Sequence, residues 1–296
     1  MLLKLSEKEI LLLKVVCYNT SNAGAIANLM GVKKSFASRL LKSLEEKKLV
    51  SIEPRGVQKL VSLSLASHAQ AFRQVVDLRG YKAGIESWLA GSALDILVIA
   101  GFGEGATLSL LEKECSCSKP TIYRTAKKLK SAGAVTQREA RLLVSDHGVE
   151  NFANYFADNI QRKLLEGVGG ASIRVRKHCV VRTGVKKIPE FFTATGLNAL
   201  REKGLKFIST SYSDYYFNLD GVKRSVNVEE AFIHALLSTT IQQNQDLPLL
   251  AKFLKEYGKK LDLRKLLKLA EQYAVSEELA QLRNAVSYYE KLGGLE

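Results

Sequence analysis

The chain has 296 residues and a formal net charge of +14, with 44 lysines and arginines against 30 acids. That length supports two or three domains, each with its own core, and the charge favours an anionic partner. No apolar run reaches the ~18 residues of a membrane span, and Lys4, Glu7, Lys8 and Glu9 break up any leader-like stretch, so a cytoplasmic protein with no membrane partner is expected.

Ser6, with Glu9 three residues later, forms a capping box that opens a helix. The run Ile10, Leu11, Leu12, Leu13, Val15, Val16 predicts burial around much of its girth. Residues 19–24 are turn-rich. Ala25, Ile26 and Leu29 space a short second helix that Gly31 and Val32 end. Ser35 is the expected cap of a third helix over 36–47. Its Ala37, Leu41 and Leu44 fall inward at i, i+4 and i+7, and Ser38, Arg39 and Lys42 lie opposite. Residues 49–54 and 60–65 read as two strands, with Arg55 and Gly56 at the tip between them. A helical stretch, Ser67–Arg79, follows. Helix, helix, tight turn, helix and hairpin is the order of a winged helix-turn-helix domain.

The same order then recurs. Slid along itself by 85 positions, the chain sets 10–17 against 95–102 and 32–50 against 117–135 without a gap. Arg39 falls on Arg124, Leu44 on Leu129 and Val50 on Val135. Ser92 is the expected cap of a helix over 93–102. Residues 108–114 form the second helix of this copy. Pro120 suits the first turn of its third, where Ile122, Ala126 and Leu129 face inward. Residues 135–138 and 142–145 make a shorter hairpin, and a helix over 148–165 follows. Within 115–137 there are five bases and no acid. The stretch 94–108, "LDILVIAGFGEGATL", imitates a dinucleotide-binding loop. Its Gly101, Gly103 and Gly105 are one residue short of that spacing, and 95–102 is the repeat partner of a helix, so the glycines are expected to link two helices.

The segment 25–50, "AIANLMGVKKSFASRLLKSLEEKKLV", resembles the MarR and related winged-helix transcription-regulator families. The likeness lies in the small residue early in the second helix, Gly31, Ser38-Arg39 and the closing "LEEKKLV". It implies DNA reading by the third helix of each copy. On that basis Lys33, Lys34, Ser35, Ser38, Arg39, Lys42, Arg55 and Lys59 are the candidate DNA-binding residues of the first copy. Those of the second are Lys119, Thr121, Tyr123, Arg124, Lys127, Lys128, Arg138 and Arg141. Basic side chains there neutralise phosphates, arginines reach guanine edges, and the hairpin bases approach the backbone.

Beyond a glycine-rich break at 167–170, residues 173–182 alternate apolar and basic, which predicts one strand with a basic face. Arg174, Arg176, Lys177, Arg182, Lys186 and Lys187 are candidates there for additional nucleic-acid contact. Residues 189–203 read as a helix and 206–220 as a strand entering a hairpin turn at Asp220-Gly221. The aromatics Tyr212, Tyr215, Tyr216 and Phe217 fit core and rim better than a base-stacking platform. Helices follow over 228–239, 247–257, 263–273 and 277–292, with Asp262 capping the third. The motifs "TATGLNALREKGL" (193–205), "VEEAFIHALL" (228–237) and "LDLRKLLKLAEQY" (261–273) resemble the C-terminal domain of AbiEi-type antitoxins. That resemblance implies an autorepressor with a cognate toxin as protein partner.

Cys17, Cys115, Cys117 and Cys179 lack zinc spacing and read as free thiols, and the four histidines are scattered without a ligand motif. No cofactor, metal or catalytic residue is expected, and no enzymatic activity. The fold class expected is mainly α with an α+β C-terminal domain: winged helices over 1–80 and 81–166, then a small sheet and helical bundle over 167–296. The function expected is a sequence-specific transcriptional regulator of double-stranded DNA that forms a homodimer. An architectural or RNA-binding protein, and a protein-interaction scaffold, are the alternatives.

Overall fold

The first helix, α1 (Glu7–Tyr18), begins where its capping box sits. The Glu9 N–H donates to Ser6 Oγ at 3.2 Å and the Ser6 N–H to Glu9 Oε2 at 2.7 Å. The computed structural model describes residues 3–55, 58–81, 83–202, 212–242 and 246–293. The chain is mainly helical, carries three small antiparallel sheets, and divides into two compact units, Met1–Leu164 and Leu165–Glu296. Gly56 of the expected hairpin tip, and 206–211 of the expected C-terminal strand, lie outside the described residues.

In the first unit α1 is followed by β1 (Ser21–Asn22), α2 (Ala23–Leu29), α3 (Lys34–Glu46), β2 (Val50–Arg55), β3 (Gln58–Leu63) and α4 (Ser67–Arg79). The strands form a sheet of order β1-β3-β2, in which β2 and β3 are the expected hairpin. Asn22 ends β1 and caps α2, its Oδ1 accepting from the Ala25 N–H at 2.9 Å. Ala37, Leu41 and Leu44 are buried, as their spacing requires. The cap of α3 is a correction: Lys33 occupies it without a side-chain bond, and Ser35 sits exposed in the first turn.

A short connector, α5 (Ile85–Leu89), leads to α6 (Ala93–Ala100), β4 (Ala106–Thr107), α7 (Leu108–Glu114), α8 (Lys119–Ser131), β5 (Val135–Arg138), β6 (Arg141–Val144) and α9 (His147–Leu164). Their sheet order, β4-β6-β5, repeats that of the first copy. Ser92 holds the cap position of α6 but makes no side-chain cap bond. The glycine-rich stretch is the loop between α6 and β4. Gly105 has φ 86°, and a Cβ on it would lie 2.4 Å from the Leu142 carbonyl oxygen of β6. Glycine there lets β4 lie against β6, which accounts for the dinucleotide-like pattern.

The two copies share one core. α4 and α9 run antiparallel, with the Phe72 ring 5.3 Å from Phe152 and the His68 ring 5.7 Å from Phe156. All four side chains are buried. His68 Nε2 and Asn159 Nδ2 both donate to the Lys47 carbonyl oxygen, at 2.9 and 3.2 Å.

The second unit contains β7 (Ala171–Val175), β8 (His178–Thr183), β9 (Thr193–Thr195), α10 (Gly196–Glu202), β10 (Ser213–Asn218), α11 (Val228–Gln242), α12 (Leu247–Tyr257), α13 (Leu263–Gln272) and α14 (Ser276–Gly293). Its antiparallel sheet has the order β7-β8-β10-β9. Three expectations are corrected here. Residues 173–182 are not one strand: the chain turns at Arg176 (φ 55°) and Lys177 and returns as β8. Residues 189–203 are not one helix. β9 first pairs with β10, and Gly196 (φ 59°) then starts α10 where a Cβ would meet Asp214 Oδ2 at 2.4 Å. Asp220-Gly221 makes no hairpin, because the chain runs from there through irregular backbone into α11. The four C-terminal helices fall as expected, and Asp262 Oδ1 caps α13 by accepting from the Lys265 N–H at 3.1 Å. Tyr216 and Phe217 are core, and Tyr212 and Tyr215 are half-buried. Cys17, Cys115 and Cys179 are buried and Cys117 half-buried. Burial pushes the Cys17 thiol up to about 12.

A polar cluster is sealed into this core. His178 Nδ1 and Arg224 Nε meet the Tyr216 hydroxyl at 2.8 and 2.7 Å, and the Tyr273 hydroxyl donates to Glu230 Oε1 at 2.8 Å. His234 is fully buried, with Nδ1 2.8 Å from Thr195 Oγ1. Burial, then the nearby His178 and Arg224, hold its imidazole well below the ordinary value. Burial likewise lowers His68 in the first unit. Both rings take up protons less readily when folded than when unfolded, where a histidine titrates near pH 6.5. Their contribution to stability is complete above ~6.5 and is lost as pH falls below it. Urea midpoints are therefore expected to drop between pH 7.5 and 5.5. Trp88, the chain's one tryptophan, reports the first unit by fluorescence, and hydrogen exchange in β8 and α11 reports the second. Midpoints that do not move over this range contradict the assignment.

Candidate nucleic-acid interface

Helix α3 is strongly amphipathic, so burial of Ala37, Leu41 and Leu44 fixes what its other side presents. Ser35, Ser38, Arg39 and Lys42 stand at i, i+3, i+4 and i+7 on one outer face, and all are exposed. Lys33 and Lys34 extend the face at the N-terminal end and are exposed too. Arg39 lies over the Phe36 ring, 5.7 Å from its centroid. Among the described residues none of Lys33, Lys34, Arg39 or Lys42 pairs with an acid. The adjacent hairpin adds Arg55 at the end of β2 and Lys59, opposite Pro54, near the start of β3; both are exposed and without an acidic partner among the described residues. An unpaired cation on a rigid element keeps its full charge for an incoming anion, and the first copy carries six of them on α3, its N-terminal end and its hairpin.

The second copy presents the same face with fewer free charges. Tyr123, Arg124, Lys127 and Lys128 are exposed on α8, and Thr121 is half-buried, its Oγ1 3.0 Å from Ser118 Oγ. Lys119 Nζ is 2.9 Å from Glu112 Oε1 and lies over the Tyr123 ring. Lys128 Nζ donates to the Ser87 carbonyl oxygen at 3.1 Å. Arg141 is 3.6 Å from Glu104 Oε2, and Arg138 is exposed on the other strand of the hairpin. The hairpin loop is two residues, with Glu139 at φ 52°.

Connector α5 makes the difference between the copies. It packs on both α1 and α8 and is anchored by the ion pair of Lys14 with Glu86 at 2.8 Å. Sequence reasoning missed it, since five residues between two glycines give no periodic signal. One side of α8 consequently borders an open groove of about 640 Å³ lined by Lys4, Ser6, Glu7, Thr121, Arg124 and Lys128. Lys4 was also missed; it gains meaning only because the fold carries the N-terminus to α8. Glu9, near the same groove, is spent internally. Burial opposes its ionisation, but hydrogen bonds from Lys47, the Ser6 N–H and Ser43 outweigh this and hold the carboxyl below its ordinary value.

The candidate basic face of the second unit is largely internal. Lys177 is fully buried against Asp220 at 2.8 Å, and Arg176 is buried with Nη1 on the Gln272 carbonyl oxygen. Arg174 Nη1 donates to the Arg176 carbonyl oxygen at 2.9 Å. Arg182 grips Asp214 through Nε and Nη2 at 2.7 and 3.0 Å, meets Asp246 through Nη1 at 2.9 Å, and covers the Tyr212 ring. Lys186 and Lys187 alone of the six are exposed. A solvent-facing basic strand is thus replaced by an ion-paired interior.

No protein-family model matches the sequence, and no curated protein matches it.

Asp214 is fully buried, so removing Arg182 strands its charge. Arg182→Ala is expected to destabilise the second unit by about 3–5 kcal/mol. Lys186→Ala with Lys187→Ala is expected to stay within about 0.5 kcal/mol. Chemical denaturation followed by hydrogen exchange measures both. An Arg182→Ala protein as stable as the parent would return Arg182 to the list of surface contacts.

Proposed function

We propose that the chain is a sequence-specific regulator of transcription that binds double-stranded DNA through two winged helices, with α3 and α8 as the recognition helices. The observation that carries the reading is the outer face of α3. Arg39, Lys42, Lys33 and Lys34 stand exposed and unpaired among the described residues, next to a hairpin bearing exposed Arg55 and Lys59. A helix of this width fits the major groove, its arginine can meet guanine O6 and N7 together, and the hairpin cations fall where the backbone passes. The helix–strand order and the sheet order β1-β3-β2 support the winged-helix assignment, and β4-β6-β5 supports it for the second copy. The second unit, where Arg174, Arg176, Lys177 and Arg182 are consumed internally rather than presented on a strand face, suits contact with a protein partner better than contact with nucleic acid.

Binding measured by fluorescence anisotropy on a duplex selected from a random pool tests the proposal. Arg39→Ala is expected to weaken the selected complex by about 1–3 kcal/mol and relax the sequence preference, whereas Lys42→Ala reduces the salt slope by about 1. A parent protein with no salt-dependent duplex binding, or one that prefers single strands or A-form helices in competition, would sink the reading.

A further inference from the structure

The relation between the two copies constrains what the DNA must look like. Two domains repeated in one chain can be related by translation, or by a rotation that exchanges them. The packing of α4 on α9 distinguishes these. A translation leaves equivalent helices parallel. Here Phe72 meets Phe152 while the earlier His68 meets the later Phe156, so the pair is antiparallel. Beyond the hairpins, of which the second is four residues shorter, the offset between the copies is 81, and exchanging them turns each of these contacts into another position on the same antiparallel crossing. That is the behaviour of a twofold axis through the α4–α9 contact.

A second set of contacts says the same. At the end of α4, Arg79 reaches the second copy and donates to the carbonyl oxygens of Ala132 and Gly133, just past α8. At the end of α9, Lys163 reaches the first copy and donates to the Glu46 carbonyl oxygen at the end of α3, at 3.4 Å. Up to the hairpins the offset of 85 sets Lys47 opposite Ala132; past them the offset of 81 sets Leu78, the neighbour of Arg79, opposite Asn159, whose Nδ2 donates to the Lys47 carbonyl oxygen at 3.2 Å. Each copy therefore supplies a side-chain donor, Arg79 from the first and Asn159 from the second, to the matching carbonyl at the end of the other copy's third helix. Such reciprocity is the signature of an isologous interface.

We infer that the two copies form an internal pseudo-dimer, so that one chain reads one DNA site made of two unlike half-sites in inverted orientation. This rests on the DNA-binding reading above. The half-sites are inverted because a twofold axis reverses the direction of the recognition helices. They are unlike because the helices differ: Ser35, Ser38, Arg39 and Lys42 on α3 stand where α8 has Pro120, Tyr123, Arg124 and Lys127. Their centres lie about 10 base pairs apart, or a multiple of that, so that both helices meet the same side of the duplex.

Selection from a random duplex pool with the full chain, repeated with Arg39→Ala and Arg124→Ala, assigns the half-sites. Both arginines are exposed, and circular dichroism melts verify that each variant is folded. Each substitution is expected to erase enrichment in a different half-site. Synthetic duplexes then carry the same half-sites inverted or in direct repeat. The inverted arrangement is expected to bind at least ~10-fold tighter, scrambling either half-site to cost at least ~10-fold, and native mass spectrometry to find one chain per duplex. Equal or tighter binding to the direct repeat overturns the inference while leaving DNA binding intact. So does a single half-site that binds as well as two, or a palindrome that takes two chains. No salt-dependent duplex binding in any arm overturns both the inference and the reading beneath it.

Discussion

The antiparallel contact of α4 with α9 is the constraint on which the first unit depends. Each of these helices follows the hairpin of its own copy, so packing one on the other fuses two cores that would each be small. Phe72, Phe152 and Phe156 supply large buried rings, in edge-on or tilted arrangements of the kind aromatic side chains prefer. One backbone carbonyl at the seam is met from both sides. The Lys47 carbonyl oxygen, one residue beyond α3, accepts from His68 of its own copy and from Asn159 of the other. The third helices end at this seam, and their terminal carbonyls meet Arg79 and Lys163, which also favour the negative end of a helix dipole. The orientation of the two basic faces is therefore fixed by the same contact that stabilises the unit.

The second unit uses charge in the opposite way. Residues 166–225 carry +6, close to the +7 of residues 1–90, and on charge alone the two segments look equally suited to an anionic partner. Burial separates them. Arg182 is held by two aspartates, Lys177 by one, and Arg224 by Glu230 and the Tyr216 hydroxyl. A cation neutralised and hydrogen-bonded in this manner has little field to offer a phosphate. Its worth is geometric: Arg182 ties β8 to β10 through Asp214 and to the start of α12 through Asp246. Such pairs cost more to break than they contribute when whole, which makes the interior intolerant of change at either partner.

Legibility from sequence follows the range of the interaction responsible. Short-range rules worked. The Ser6–Glu9 box, the 3.6-residue spacing of α3 and α8, the hairpins and the Asp262 cap were all readable, because each depends on residues within one or two turns. The basic face of α3 was readable for the same reason: what the helix buries determines what it exposes. Failures came where the partner is remote or the pattern runs through a turn. Alternation from 173 to 182 continues across Arg176 and Lys177, a turn without glycine or proline, so two strands looked like one. Asp214 and Asp246 are 32 and 64 residues from Arg182, beyond any local rule. The two-residue strands β1 and β4 exist only because β3 and β6 offer them an edge.

The two copies are not equivalent, and the connector is the reason. A chain that runs from the end of one copy to the start of the next must cross the pseudo-twofold axis once, in one direction. Whatever it does on the way breaks the symmetry. Here it folds as α5, wedged between α1 and α8, and Ser87 takes a hydrogen bond from Lys128. No matching segment flanks α3 among the described residues. The first copy thus keeps six unpaired cations for a backbone, while the second has Lys119, Lys128 and Arg141 already engaged. On a DNA site this asymmetry would divide the labour: α3 and its hairpin supply most of the salt-dependent affinity, and α8, with Tyr123, Arg124 and Lys127 outward, supplies the second point that fixes orientation. A homodimer of identical single copies has no such device. In one chain, the segment that joins the copies is also what tells the two ends of the site apart.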